Sequence, residues 1–237
     1  MKLRIKFRKY GPIRFIGHLD VMRFFQKAIR RAQLDVAYTQ GFSPHQIMSF
    51  AAPLGVGLES NGEYMDIEVH SIISCQNVME CLNAVSAPGI EIVSVKILPE
   101  GAGNAMASVS AASYTVRFRT GREPRFDMLS AIDRLLAMEQ VLITKEGKNG
   151  SRQIDIKPGI YELFWLDNAL HMLVDASSAG NIKPIQIVEA LFAENNQQLQ
   201  ENALLITRED TFTDIGKEGH RKLVPLDAVG VDKVEAL

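Results

Sequence analysis

Hydrophobic and charged residues alternate at the start of the chain, which is the pattern of a strand with one buried face. The apolar positions are Leu3, Ile5 and Phe7, and the basic positions around them are Lys2, Arg4, Lys6 and Arg8. The spacing becomes helical over residues 18–32, where apolar residues recur every three or four positions and basic residues occupy other positions. The chain is therefore predicted to begin with a strand and an amphipathic helix.

The rest of residues 1–99 continues this succession of strands and helices. Its predicted elements are a strand at 36–38, a long ordered loop at 40–62, a strand at 64–69, a helix at 74–85 and a strand at 91–98. The loop is rich in Gly and Pro but too apolar to be disordered, so we interpret it as packed. The resulting order, β-α-β-β-α-β, is typical of the ferredoxin-like fold.

A second copy of this order is predicted after a Gly-, Ala- and Ser-rich linker at residues 100–112. Ile5–Arg8 (IKFR) is nearly repeated as Val116–Arg119 (VRFR) at the start of the second copy. The second copy covers 113–209, and residues 210–237 form a mixed, partly flexible tail. The sequence thus predicts an α+β protein with two ferredoxin-like halves, the second of which carries an extra β-hairpin.

Composition changes this picture mainly through the distribution of charge. The net charge of the 237 residues is −2, but residues 1–50 carry ten Lys or Arg and two Asp, a net of +8. The other 187 residues carry 16 basic and 26 acidic residues, a net of −10. Such an asymmetry indicates a polyanionic partner, and nucleic acid is the first class to consider.

Targeting and metal signals are absent from the sequence. No apolar run reaches the 18 residues that a membrane helix needs, and the charged start lacks the apolar core of a signal peptide. The only cysteines, Cys75 and Cys81, are too few for a disulfide framework and wrongly spaced for zinc. We therefore expect a cytoplasmic protein with no metal site and no cofactor of its own.

The first strand of each predicted half lies centrally in a sheet that has helices on one face only. The basic residues expected on the other face are Arg4, Lys6 and Arg8 in the first half and Arg117 and Arg119 in the second. Two interpretations remain open. These faces form an anion-binding surface, or neighbouring acidic residues such as Asp66 neutralise them through cross-strand ion pairs.

Further candidate nucleic-acid ligands come from the basic N-terminal segment and from one unusual loop. The segment adds Arg14, Arg30 and Arg31. The loop, Tyr38–His45, combines a glycine and a proline with Phe42, and its Ser43 and His45 offer polar groups on a rigid backbone. A rigid loop with an aromatic residue suits a base or phosphate pocket, although a purely packed loop has the same signature.

Three residues are candidates for catalysis. His18 and His45 are a general acid and base if the fold brings them together, which their separation of 27 positions does not establish. Asp155 lies in a strand with Arg152 and Lys157, a combination equally typical of a solvated strand face. The other histidines, His70, His171 and His220, lack supporting neighbours and are assigned structural roles.

Several motifs of the first third resemble the radical SAM-linked protein family, a bacterial family of unknown function. They are Gly11–Asp20 (GPIRFIGHLD), Lys27–Ala32 (KAIRRA), Gly41–His45 (GFSPH), Ala52–Leu58 (APLGVGL) and Glu63–Asp66 (EYMD). Arg152–Pro158 (RQIDIKP) and Ile206–Glu209 (ITRE) resemble it more loosely. The likeness covers most of the chain and is specific at its start.

This resemblance implies a radical SAM protein as partner and an RNA setting, with tRNA or rRNA as the substrate. It brings no catalytic residue with it. A radical SAM enzyme needs three closely spaced cysteines for its iron–sulfur cluster, so this chain is not expected to perform that chemistry alone. We expect an RNA-binding or substrate-presenting module for that partner.

Two alternatives stand beside this expectation. Paired ferredoxin-like halves also occur in RNA-cleaving endonucleases and in pseudouridine synthases. The first would need His18 or His45 beside a basic face, and the second would need a catalytic aspartate such as Asp155. A protein-interaction scaffold that binds no nucleic acid is the other alternative.

Overall fold

The computed structural model describes residues 1–147, 150–217 and 220–233, with the side chains of 146 and 147 left aside. The fold is α+β, as the sequence predicts. Contacts between residues divide the chain into two compact units. The first unit contains Met1–Ser110 and Arg208–Leu237, and the second contains Ala111–Thr207.

The first unit begins with alternating strands and helices and is completed by residues from the end of the chain. Its elements are β1 (Lys2–Lys9), α1 (His18–Arg31), β2 (Met48–Phe50), β3 (Glu59–Glu68), α2 (Cys75–Ala84) and β4 (Ile90–Ile97). The second unit contains β5 (Ala111–Phe118), α3 (Met128–Ala137), β6 (Leu142–Gly147), β7 (Gly150–Asp155), β8 (Ile160–Leu166), β9 (Ala169–Asp175) and α4 (Pro184–Glu194). Strand β10 (Leu204–Asp214) begins in the second unit and ends in the first, where β11 (Leu223–Pro225) pairs with it.

Strand β1 lies between β4 and β3 and is antiparallel to both, as its strict alternation predicts for a central strand. Leu3, Ile5 and Phe7 are fully buried in a core that also receives Phe25 and Ile29 from one side of α1. The opposite side of β1 carries the basic residues. The two sides of this strand therefore have opposite chemistry, and the basic side needs either solvent or carboxylate partners.

The strand predicted at residues 36–38 is not a regular strand in the structure. Val36 and Tyr38 form only isolated bridges, to Val69 and Gln46, and the regular strand β2 lies inside the segment predicted as a loop. Met48–Phe50 pairs with the end of β3. Pairing with β3 satisfies the backbone polar groups of this segment, which its Gly and Pro content does not reveal.

The second unit has the order β5-β9-β8, all antiparallel, with α3 and α4 packed on one face. Strands β8 and β9 join at Asp167 and Asn168, which both have positive φ, the conformation of a type I′ hairpin turn. Strands β6 and β7 form a separate two-stranded ribbon. The tip of this ribbon, 148–149, lies outside the described residues.

Residues 100–110 of the predicted linker belong to the first unit in the structure, as does the predicted tail, and residues 111–112 begin β5 of the second unit. Ala105 and Val109 are buried, although their neighbours have linker-like composition. The end of β10, β11 and a short 3-10 helix at Leu226–Val229 occupy the described part of the predicted tail. Both segments lie over the basic side of β1, where their carbonyl groups meet its cationic side chains.

Candidate nucleic-acid interface

The basic side of β1 is closed in the structure, beginning with Arg4. Arg4 lies opposite Asp66 of β3, and its Nε and Nη2 donate to the two carboxylate oxygens at 2.8 and 2.9 Å. Only 1% of Arg4 is exposed. Its remaining donors reach the carbonyl oxygens of Leu226 at 3.0 Å and Gly103 at 3.2 Å. Arg4 is a saturated internal cation and is not available to a ligand.

The other basic residues of β1 are also paired. Lys6 Nζ donates to Asp210 Oδ2 at 2.7 Å, and Arg8 Nη1 donates to Glu91 Oε2 at 3.1 Å. This corrects the expectation of an open anion-binding face in the first half. The alternative, neutralisation by acidic neighbours, describes the structure, because three carboxylates balance these three cations.

A tyrosine locks the same side of the sheet to the end of the chain. Tyr64 Oη donates to Asp210 Oδ1 at 2.6 Å and contacts Asp227 Oδ1 at 3.2 Å. Burial, together with these carboxylates, raises the pKa of Tyr64 well above its ordinary value. The hydroxyl therefore stays protonated and donates over the whole physiological pH range.

Arg14 and the loop at residues 38–45 occupy different surroundings. Arg14 Nη1 donates to Glu59 Oε1 at 3.2 Å, and its guanidinium lies over the Phe15 ring. Phe42 is fully solvent-accessible at the tip of the loop, and Ser43 is exposed beside it. The imidazole of His45 is exposed too, with Nδ1 3.1 Å from Thr39 Oγ1. These loop residues are open to solvent.

The exposed side of α1 carries four basic residues. Arg30 and Arg31 lie there as predicted, and the structure adds Arg23 and Lys27, which the sequence analysis did not select as ligands. Arg23, Lys27 and Arg31 line one open groove beside residues 85–87. Spacing at i, i+4 and i+8 could have identified this row, because such residues share one side of a helix.

Few acidic groups balance this row. Asp20 Oδ1 accepts from Arg23 at 3.1 Å, and Arg31 Nη2 donates to the Val85 carbonyl at 3.1 Å. Arg30 Nε donates to the Gln26 carbonyl at 3.3 Å, and Lys27 has no ion pair within the described ranges. Within the described residues, Asp20 is therefore the one carboxylate that forms an ion pair with any of these four cations.

The second unit has a sheet face that α3 and α4 do not cover, on which Thr115 is buried and Phe164 is exposed. Its core residues, Tyr114, Val116, Leu170 and Met172 among them, point toward the helices. Arg117 and Arg119 are exposed, and in the described structure neither forms an ion pair. His171, which the sequence analysis assigned a structural role, stacks on Phe164 in the same region, with ring centroids 5.1 Å apart and an angle of 11°.

The three catalytic candidates have separate local roles. His18 packs edge-on against Phe50 at 5.1 Å, and no hydrogen bond among the described residues joins it to His45. Asp155 Oδ1 accepts the backbone N–H groups of Val141 at 2.9 Å and Lys157 at 3.0 Å. Its carboxylate closes the base of the β6–β7 ribbon, which is a structural task.

One buried ionic cluster was missed by the sequence analysis. Lys9 is 2% exposed, and its Nζ donates to the Ile16 carbonyl at 2.8 Å. It lines a pocket with His18 and Glu63, and Arg208 donates to Glu63 Oε1 at 2.8 Å. Burial lowers the pKa of Lys9, an effect that Glu63 opposes and Arg208 reinforces. The pocket has room for about one water molecule, so it admits no nucleotide.

The cysteines offer no cluster site. Cys75 is buried at the start of α2, where burial raises the pKa of its thiol, and Cys81 is partly buried. Across residues 1–147, 150–217 and 220–233, no three His, Cys, Asp or Glu side chains lie together as metal ligands require. Within the same ranges, no helix has the length and apolar character needed to cross a bilayer.

The family to which the chain belongs is identified by its sequence. Residues 2–184 match the model of a family described as "Uncharacterized protein conserved in bacteria" (DUF2344). The chain is a member of this bacterial family. The match includes β1, α1 and the sheet face of the second unit.

Other comparisons add little to this membership. No curated protein matches the sequence. Among solved structures, one similar chain belongs to the structure titled "Crystal Structure of a Cbf5-Nop10-Gar1 Complex", with 8% sequence identity and a TM-score of 0.45. The alignment covers 88% of this chain and 48% of that chain, so this protein spans about half its length. A likeness at this level identifies neither the fold nor the function.

Proposed function

We propose that this protein is an RNA-binding module that presents RNA to a radical SAM partner protein. The observation that carries the proposal is the cationic side of α1. Arg23, Lys27, Arg30 and Arg31 are all exposed on it, and in the described structure Arg23 alone among them forms an ion pair, with Asp20. Such a row attracts a phosphate backbone because each neutralised phosphate releases condensed counterions.

Charge distribution supports a polyanion over other ligands. The chain as a whole is slightly acidic, so a general excess of positive charge does not explain the row. Arg4, Lys6 and Arg8 of β1 form internal ion pairs, whereas the basic side chains of α1 are exposed. Arg23, Lys27 and Arg31 are spaced about one helical turn apart, which allows several phosphates to be contacted at once.

The radical SAM partner rests on the sequence resemblance. Motifs such as Gly41–His45 and Ala52–Leu58 occupy exposed or partly exposed loops of the first unit, where a partner protein has access to them. The chain itself has only two cysteines and no third ligand for a cluster. Presentation of RNA to a separate enzyme therefore fits its residues better than catalysis by the chain alone.

We also propose that both units are variants of the ferredoxin-like fold. In the first unit β4, β1 and β3 are neighbours and β2 pairs with β3, which corresponds to the ferredoxin-like order 4-1-3-2. In the second unit β5, β9 and β8 follow the same order, with the β6–β7 ribbon inserted after α3. Four- to five-stranded sheets of this kind often bind RNA on the face that lacks helices.

The test measures the affinity for labelled RNA as a function of salt concentration. Wild-type protein should show log K falling linearly with log salt, and the variant Lys27→Gln/Arg30→Gln should bind more weakly with a shallower slope. The slope should change by about 0.7 for each single-strand phosphate that the variant no longer neutralises. If the variant showed the same salt dependence as wild type, α1 would not be part of the RNA-binding interface.

A matched control removes the same charge elsewhere in the first unit. Arg8 and Lys96 are partly exposed and ion-paired, so Arg8→Gln/Lys96→Gln should leave the slope unchanged. The partner is tested separately, by purifying tagged protein from its own cells and identifying bound proteins and RNA. Recovery of proteins without any radical SAM enzyme would contradict the partner assignment. The proposed RNA binding would still be tested by the salt dependence of RNA affinity.

A further inference from the structure

We infer that the helix-free face of β5, β9 and β8 is a stacking platform for unpaired RNA bases. This inference rests on the proposed RNA-binding function and specifies its ligand as single-stranded. It concerns the second unit alone. The residues that carry it form a row across the three strands, namely Thr115, His171 and Phe164, which face one another in the register of the sheet.

Period-two alternation sets the direction of this row. On β9, Leu170, Met172 and Val174 are buried toward the helices, so the residues between them face the other way. On β8, Leu163 belongs to the same core, and Phe164 therefore points away from it. The row thus lies on the face that α3 and α4 do not cover.

Phe164 has the exposure that a stacking residue needs. It retains 44% of its accessible surface, although burial of a phenylalanine is normally favoured. His171 stacks on its ring, and Nδ1 of His171 lies 3.3 Å from Thr115 Oγ1. These contacts hold the ring in one orientation before a ligand arrives, which reduces the entropy lost on binding.

Positive charge lies beside the aromatic pair. Arg117 is two residues from Thr115 on β5, about 7 Å along the strand, and Arg119 follows. Both are exposed, and no ion pair involves either of them in the described ranges. Glu162 is the exposed carboxylate of β8 on this face, and Asp175 at the end of β9 accepts the Ser177 N–H.

An aromatic ring flanked by arginines is the combination that binds single strands. The ring stacks on a base, whatever its identity, and the guanidinium groups contact the phosphates that follow it. A duplex keeps its bases stacked on one another, so it offers no free base to Phe164. The inference therefore predicts preference for unpaired RNA, with weak dependence on sequence.

The experiment compares a labelled twelve-nucleotide oligouridine with a twelve-base-pair RNA duplex. Phe164→Leu keeps an apolar side chain of similar size but removes the ring, and it should weaken oligouridine binding about tenfold. Duplex affinity should remain unchanged, and Phe164→Trp should preserve binding to the single strand. Thermal unfolding of each variant establishes that the second unit stays folded.

The control variant is Leu129→Ala, which truncates a similarly exposed apolar residue on α3, the helix side of the unit. It should bind both RNAs as wild type does. Oligouridine affinity unchanged in Phe164→Leu would overturn the platform, as would an equal loss for both RNAs. A wild-type protein that binds neither RNA would instead overturn the proposed function itself.

Discussion

The basic side of β1 and the helix-free face of β5, β9 and β8 share a sequence pattern but differ in how their basic residues are paired. IKFR and VRFR are near repeats, and each places two basic residues on the side of its strand opposite a hydrophobic core. In the first unit Lys6 and Arg8 are ion-paired with Asp210 and Glu91, and Arg8 remains partly exposed. In the second unit Arg117 and Arg119 remain exposed and without ion pairs in the described structure.

The comparison shows that a basic strand becomes a ligand surface only when nothing else in the chain supplies its counter-charges. Asp66 is a strand neighbour of Arg4, but the counter-charge of Lys6, Asp210, lies 204 positions away in the sequence. The sequence of β1 or of β5 alone could not show whether the basic side of that strand is ion-paired or exposed. The first face therefore stabilises the fold, and the second keeps Arg117 and Arg119 exposed.

The largest effect is expected from breaking the closed face at its centre. Arg4→Met leaves Asp66 buried without its cation, which should lower the free energy of unfolding by about 3–5 kcal/mol. Denaturant unfolding at neutral pH measures this. Arg4→Met/Asp66→Leu should recover most of the loss, because it removes both charges together.

The exposed pair Arg8–Glu91 is the internal control for this result. Arg8→Met should cost about 1 kcal/mol or less, because partly exposed ion pairs are screened by solvent. Equal losses for Arg4→Met and Arg8→Met would contradict the view that Arg4 is a buried, structural cation.

A smaller effect is expected at alkaline pH, again on the closed face. The pKa of Tyr64 is raised in the folded protein, so the unfolded chain loses this proton first, near pH 10. The contribution of Tyr64 to stability is complete below pH 10 and falls by about 1.4 kcal/mol per pH unit above it. Tyr64→Phe should be less stable than wild type at pH 7, and the difference should shrink above pH 10.

Unfolding curves between pH 7 and 11 test this prediction. A constant difference between wild type and Tyr64→Phe across that range would mean that the hydroxyl is not locked between Asp210 and Asp227.

The smallest effect on stability is expected on the open face. Arg117→Gln should change the free energy of unfolding by less than about 0.5 kcal/mol, because the side chain is exposed and forms no ion pair in the described structure. The same change should make the salt dependence of oligouridine binding shallower by about 0.7. Destabilisation of several kcal/mol would show that this face is closed as well, and the contrast between the units would disappear.

Much of the first unit could be predicted because its signals are local. Alternation of apolar and basic residues identified β1, helical spacing identified α1, and alternation on β3 placed Asp66 on the same side as Arg4. The cover of that side could not be predicted, because Gly103 and Leu226 contribute carbonyl groups rather than a recognisable side chain. The composition of residues 100–112 indicated a linker, and packing overrode it.

The second unit shows a different limit. Strands β8 and β9 pair as a hairpin, and the alternation along them places Phe164 and His171 on one face. The contact between Phe164 and His171 was not predicted, because it depends on the register of β8 against β9 and neither residue belongs to a recognisable motif. Asp155 was selected for its charge, but the acceptance of two backbone N–H groups depends on where the chain returns at Val141 and Lys157.

The division of the first unit into Met1–Ser110 and Arg208–Leu237 has a consequence for biosynthesis. A ribosome adds about 5–20 residues per second, so Asp210 emerges roughly 10–40 s after Lys6. During that interval Asp66 and Glu91, the carboxylate partners of Arg4 and Arg8, have already been synthesised, but Lys6 has no carboxylate partner. The nascent chain therefore carries on β1 a positive charge that the finished protein neutralises.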